Sequence, residues 1–233
     1  MSARTTSLSD GGGLVAKPLP ASFLSAASYL SFASCYVYAP RAHGPIANAS
    51  RQICERVKRS DPVWLPAYAG FVYRISLRDR QLRQLFSPGA MLIPVPGSAP
   101  CSSARWPSLQ LALALSEVGF ALRVWTGLHR SVAVRKSATA PQAERPTVRQ
   151  HYDSFSVTLP HGPVRKIVLV DDVITKGRTL LAAALRLQVE LPPAEIEAFA
   201  LIRTLGFIEQ LHHLTAVCHG CVRWAAGDAR REP

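Results

Sequence analysis

The stretch from Arg165 to Leu181, RKIVLVDDVITKGRTLL, constrains the fold of this chain more than any other. Ile167, Val168, Leu169 and Val170 form a continuous apolar run, β-branched at three of its four positions. Such a run suits a strand buried on both faces of a parallel sheet. Two adjacent carboxylates follow, Asp171 and Asp172. Thr175, Lys176, Gly177, Arg178 and Thr179 then lead into the helix-forming run LLAAAL from Leu180. Strand, acidic pair, short glycine-bearing loop and helix place ligand groups at the carboxyl end of a strand, where open α/β sheets bind their ligands.

The residue types indicate which ligand. A loop that opens a helix offers free backbone N–H groups and the positive end of the helix dipole, which together hold a phosphate. Gly177 lets the backbone approach the anion. Thr175 and Thr179 add hydroxyls, and Lys176 and Arg178 add positive charge. Two carboxylates beside a phosphate would repel it unless the ligand also carries hydroxyl donors or a hydrated Mg²⁺. A phosphorylated sugar with a vicinal diol meets both demands. The plainer reading of either aspartate alone is a solvated acidic turn before an ordinary helix.

The segment VLVDDVITKGRT, Val168 to Thr179, resembles the 5-phosphoribosyl-1-pyrophosphate (PRPP) binding motif of the type I phosphoribosyltransferases, and is most similar to their ComF-like branch. Lys176 departs from the small residue usual at its position. The resemblance implies a Rossmann-like α/β fold, a central and mostly parallel sheet flanked by helices, with a flexible hood. It implies Mg²⁺-dependent transfer of a phosphoribosyl group from PRPP to a nitrogenous acceptor, with release of pyrophosphate. The Mg²⁺ would be carried mainly by PRPP, with no dedicated protein ligands. Asp171 and Asp172 would hold the ribose hydroxyls, and Thr175, Lys176, Gly177, Arg178 and Thr179 would wrap the 5′-phosphate. Hypoxanthine-type relatives carry an aspartate where this chain has Thr175, so that mechanism is disfavoured and the acceptor stays unnamed. A regulator that keeps the pocket to sense PRPP fits the same motif.

Upstream, Met91-Leu92-Ile93 reads as a short buried strand, and Pro94, Val95, Pro96, Gly97 and Ser98 force a sharp loop after it. Gly97 and its neighbouring N–H groups suit an anion, and the family's corresponding loop binds pyrophosphate. Trp106–Val118 reads as a helix and Phe120–Trp125 as a second core strand, as a βαβ crossover requires. Residues 127–152 are polar and basic, with Arg130, Lys136, Arg145 and His151. A long irregular segment in a compact domain is usually functional or disordered. In the family this region is the hood, and Arg130, Lys136 and Arg145 are its candidate cations, with His151 behind them. A strand is expected over Ser154–Leu159, the last core strand over Ile196–Ile202, and a final helix over Gly206–Leu214.

The chain divides into a flexible segment 1–20, a helical or lid region 21–88, the phosphoribosyltransferase core 89–214 and a basic tail 215–233. Ala21–Ala39 is uncharged and near membrane-spanning length, but its repeated serines favour a hairpin or helix packed on the main domain. The expected location is therefore cytoplasmic, with no membrane partner. With 48% hydrophobic and 18% charged residues, the composition excludes a disordered chain. A net charge of +12 favours phosphate-bearing partners. A nucleic-acid partner, and with it the alternative of a basic ComF-like accessory protein of DNA uptake or processing, rests on this charge and on the basic residues between Arg51 and Arg83, which more often form a solvated face. Relatives often dimerise, which leaves a homodimer open. Five cysteines with no secretion signal argue against a disulfide framework, and Cys218-His219-Gly220-Cys221 offers half a zinc site, a redox pair or plain thiols.

Overall fold

The computed structural model describes residues 17–20, 29–100, 106–120, 123–135, 141 and 144–233. Its centre is a seven-stranded sheet ordered β3-β2-β6-β7-β1-β8-β9. The strands are β1 (Tyr29–Tyr38), β2 (Ala90–Pro94), β3 (Arg123–Val124), β6 (Lys166–Ile174), β7 (Glu195–Thr204), β8 (Thr215–Ala225) and β9 (Asp228–Glu232). All pairings from β3 through β1 are parallel, and β8 and β9 add antiparallel strands. A separate two-stranded sheet pairs β4 (Leu128–Arg130) with β5 (Phe155–Val157). The architecture is therefore α/β, with a mostly parallel central sheet.

Helices cover both faces. On one lie α1 (Pro45–Lys58), α2 (Trp64–Ser76), α3 (Arg80–Leu85) and α4 (Pro107–Leu115). Their core joins Val57, Val72, Leu82 and Leu111 to Leu92, Val168, Val170 and Phe199. On the other lie α5 (Val148–Asp153), α6 (Arg178–Glu190) and the small sheet. There Tyr152, Phe155 and Leu181 meet Ile93, Ile167, Leu169 and Ala198. Ile167 through Val170 are fully buried because successive side chains of β6 enter opposite cores.

Several expectations are corrected. Ala21–Ala39 is neither hairpin nor helix where it is described: Tyr29–Tyr38 is β1, an internal strand between β7 and β8. Its alanines, serines and Cys35 are small enough to sit under helices on both sides, and Ser34 is completely buried. The expected tail 215–233 is the β8–β9 hairpin, part of the main sheet. Gly206–Leu214 contains no helix; it is an irregular connection whose Leu211 packs on Ala39 and Ala42. Of the second core strand expected over Phe120–Trp125, Arg123–Val124 is β3 among the described residues, while Phe120 belongs to a π turn over Ser116–Phe120 that contains Gly119 at φ 121°. The strand at 154–159 pairs with β4 and not with the main sheet.

Candidate functional site

Strand β6 carries Asp171 and Asp172 as the sixth and seventh of its nine residues and ends at Ile174, so the loop to α6 is only Thr175, Lys176 and Gly177. Gly177 caps the helix in the left-handed region at φ 80°. A Cβ there would meet Val222 Cγ2 at 2.5 Å, so the position excludes side chains on two counts. Thr175 and Lys176 are exposed.

The neighbouring strand supplies a second loop. Pro94 of β2 lies opposite Val170 in register, and Val95 N–H donates to the Val170 carbonyl at 2.9 Å. The Pro94–Ser98 loop therefore leaves the sheet beside Asp171. The buried indole of Trp106 donates to the Val95 carbonyl at 2.9 Å, and Val134 N–H to the Ser98 carbonyl at 2.7 Å. Gly97 faces open space, with nothing within 4 Å of where a Cβ would stand.

Asp171 Oδ1 accepts from its neighbour Asp172 N–H at 2.9 Å and from Ser108 Oγ at 3.4 Å. Asp172 Oδ1 accepts from Val173 N–H at 2.9 Å. Burial, and then the adjacent Asp172 charge, hold the Asp171 carboxyl well above the usual carboxylate range. Among the described residues no lysine or arginine forms an ion pair with either aspartate. A ligand that brings hydroxyl donors or a hydrated cation to the pair would offset the cost of keeping both carboxylates charged.

Arg130, expected to reach the ligand from the hood, is 3% exposed and turned inward. Its Nε donates to the Gly97 carbonyl at 2.6 Å and another nitrogen to the Pro96 carbonyl at 3.5 Å. It also bonds Ser154 Oγ and stacks over Phe155 at 4.2 Å. Among the described residues all peptides are trans. Carbonyls held toward Arg130 therefore turn the N–H groups of Gly97 and Ser98 the opposite way. Arg130 shapes the loop from behind.

His151 is corrected in the same sense. Burial, then Arg130 and Arg178, bring its pKa down to about 4, so it is neutral at physiological pH and supplies no charge. Its Nδ1 lies 3.5 Å from an Arg130 nitrogen, which can only donate, so the ring proton sits on Nε2, 3.4 Å from Thr179 Oγ1. Thr179, His151, Arg130 and Gly97 thus form one hydrogen-bonded line between the two loops. With its oxygen accepting from His151, the Thr179 hydroxyl keeps its own proton for a ligand.

The expected phosphate-loop cations already have a partner. Arg178 grips Asp228 at the start of β9, with Nε to Oδ1 at 2.6 Å and a second bond to Oδ2. It also donates to the Arg145 and Pro146 carbonyls, both at 3.3 Å. Lys176 Nζ lies 3.9 Å from Asp228 Oδ2. Arg231 donates to the Ile174 carbonyl at 3.0 Å and the Thr204 carbonyl at 2.7 Å, and Thr175 Oγ1 lies 3.3 Å from Thr204 Oγ1. The C-terminal hairpin therefore backs the loop, a role nothing in its sequence marks. Arg145 reaches this cluster through its carbonyl, and Lys136 lies outside the described residues.

Cys218 and Cys221 both lie on β8, three positions apart, and so point to opposite faces of the sheet. This geometry rules out a shared zinc ion and a disulfide between them. Among the described residues no cluster of three His, Cys, Asp or Glu side chains is placed to hold a metal. The basic residues of α1 to α3 are largely engaged: Arg51 donates to the Ala42 carbonyl, Arg83 to the Ser76 carbonyl, Arg59 pairs with Glu55, and Arg56 stacks on Trp64. Among the described residues no helix is long and apolar enough to cross a membrane.

No protein-family model matches this sequence, and no curated protein matches it.

Proposed function

We propose that the chain is a PRPP-binding phosphoribosyltransferase of type I architecture, transferring a phosphoribosyl group to a nitrogenous acceptor. The observation that carries this reading is the acidic pair toward the carboxyl end of a central parallel strand, between the loop that turns the Gly97 and Ser98 N–H groups away from Arg130 and the amino terminus of α6 at Gly177. A phosphorylated ribose offers hydroxyls to Asp171 and Asp172, its 5′-phosphate to the loop Thr175–Gly177 and the Thr179 hydroxyl, and its pyrophosphate to the Gly97 and Ser98 amides. Bound Mg²⁺ would neutralise charge on the departing pyrophosphate, and the acidic pair is the donor set that fits it. The aspartates orient the ribose and stabilise the positive charge that develops on it.

A second reading, a PRPP-responsive regulator, is favoured by the inward engagement of Arg130 and by the Arg178–Asp228 pair, which leave fewer cations for the ligand's phosphates. Pyrophosphate release separates the two.

The test is calorimetry with PRPP and Mg²⁺ on the wild type and on Asp171→Asn. The wild type is expected to bind and the variant to lose binding at least tenfold. The same variant should be more stable without ligand. A carboxyl whose folded pKa is raised weakens the fold as pH rises through that value, and an amide removes the charge. At pH 7 we expect a melting temperature higher by roughly 2–4 °C. A folded wild type that ignores PRPP would sink both readings.

A further inference from the structure

Both cations of the segment from Thr175 to Thr179 are neutralised from within the chain. Arg178 holds the Asp228 carboxylate through two bonds, and Lys176 Nζ lies 3.9 Å from the same group. Lys176 and Asp228 reach solvent, with 44% and 30% of their side chains exposed, whereas Arg178 is mostly covered. The Arg178 bonds keep the Asp228 carboxyl below its usual range despite partial burial, so it is charged at neutral pH. Arg178 also opens α6, where a cation opposes the positive end of the helix dipole. Asp228 offsets that conflict, and any phosphate entering the loop would have to displace or tolerate it.

The hairpin that delivers Asp228 has no slack. β8 ends at Ala225, β9 begins at Asp228, and these two residues pair across the turn. Only Ala226 and Gly227 connect them, at φ 49° and 82°. A two-residue turn of this kind needs positive φ at both positions, which glycine adopts freely and alanine only under strain. The ladder and the strained alanine fix the carboxylate against the loop. The rest of the hairpin is mainly basic, with Arg223, Arg230 and Arg231.

We propose that Asp228 is an internal counterion that limits the affinity of the phosphate subsite. A bound phosphate and the carboxylate compete for Lys176 and Arg178 and repel each other. This inference rests on the phosphorylated-ribose reading above and adds to it a reason for weak phosphate binding. In a transfer from PRPP the 5′-phosphate passes unchanged from substrate to product. Contacts to it are therefore alike before and after the chemical step. Such uniform binding does not accelerate the step, and it holds the product back. A carboxylate that weakens those contacts equally in every state lets the product leave.

The test is calorimetry on the full chain at low ionic strength, where screening is weakest. Inorganic phosphate and ribose 5-phosphate are the separate probes, on the wild type, Asp228→Asn and Asp228→Glu. Asparagine keeps an oxygen for Arg178, which the Arg145 and Pro146 carbonyls also hold in place. Asp228→Asn is expected to bind both probes about fivefold to tenfold tighter, by the same factor. Asp228→Glu, which keeps the charge, should stay near the wild type, and a second neutral variant, Asp228→Ser, should repeat the gain. Without ligand Asp228→Asn should melt roughly 2–4 °C lower, because a charged partner is lost. A residue that only braced the loop would lose stability and affinity together, so the opposite signs carry the proposal. Folded neutral variants whose phosphate affinity is unchanged or lower overturn it, as does a wild type that ignores phosphate alongside variants that do the same. If the neutral variants tighten phosphate but no protein prefers ribose 5-phosphate to phosphate, the counterion stands and the phosphorylated-ribose reading falls.

Discussion

His151 shows how one side chain's environment becomes a property of the fold. It is 3% exposed, and its ring bridges Arg130 and Thr179 only while it is neutral. In the unfolded chain it titrates near 6.5, and in the fold near 4. Between those values the unfolded state binds more protons, so stability is complete above pH 6.5 and falls as pH drops toward 4. The loss reaches about 3 kcal/mol at the lower limit. The carboxylates of Asp79 and Asp228 are held below their usual range despite partial burial, by the His219 and Arg178 bonds respectively, and lose their stabilisation only at lower pH. The two windows are therefore separable. Asp171, raised by burial, works in the opposite direction over the same range, so the comparison is made in an Asp171→Asn background. There thermal melts from pH 7.5 to 4.5 should show a steady decline, and His151→Gln, which keeps a neutral polar side chain, should flatten it. An unchanged slope in the variant would assign the decline elsewhere.

The loop Thr175–Gly177 carries the argument at the scale of elements. Gly177→Ala places a methyl against Val222 and a side chain at φ 80°, each unfavourable. We expect a loss of about 2–3 kcal/mol, read from denaturant unfolding, with weakened PRPP binding. Adding Val222→Ala removes the collision but leaves the backbone strain, so rescue should be partial. Full rescue would show the torsion to be harmless, and no rescue would show the contact to be. This loop also marks what the sequence disclosed. Strand β6, helix α6 and the acidic pair were legible because a β-branched run, paired carboxylates and an alanine-leucine helix each report their state locally. The partners of Arg178 and Arg130 were not. Asp228 lies fifty residues beyond Arg178, and a guanidinium that grips a carbonyl looks, as a sequence letter, the same as one that awaits a phosphate. Strand β1 was illegible for another reason. Buried on both faces among small residues, Tyr29–Tyr38 has no alternation to betray it, and its repeated serines favoured a packed hairpin or helix, whereas Ser34 is wholly buried within the sheet.

At the scale of the whole molecule the C-terminal hairpin decides whether the chain is a core with a tail or a single cooperative unit. Basic residues and a spaced cysteine pair gave 215–233 the look of a tail, yet β8 pairs along β1 from Tyr29 to Tyr36 and makes β1 an internal strand. Val222 and Ala229 belong to the same core as Leu30, Phe32 and α6. Asp228 holds Arg178, and Arg231 holds the carbonyls that end β6 and β7. Ending the chain at Leu214 would strip β1 of its pairing with β8 and leave it an edge strand on β7, uncover Leu30 and Phe32, leave Arg178 without its carboxylate and open a gap behind Gly177. Losing the burial of Leu30, Phe32 and Val222 at about 1.5–3 kcal/mol each, together with the β8 ladder and the Arg178 ion pair, is comparable with the roughly 5–15 kcal/mol by which a domain is stable. The truncated chain is therefore expected to lose its cooperative melting transition altogether. A milder variant keeps the question answerable if truncation merely prevents expression. Arg231→Met removes the guanidinium from two buried carbonyls but retains the side-chain bulk, and should cost roughly 1–3 kcal/mol while weakening PRPP binding through the Thr175 loop. A truncated chain that melts cooperatively at the wild-type temperature would return the hairpin to the status of a tail, and would leave the loop's shape to β6 and α6 alone.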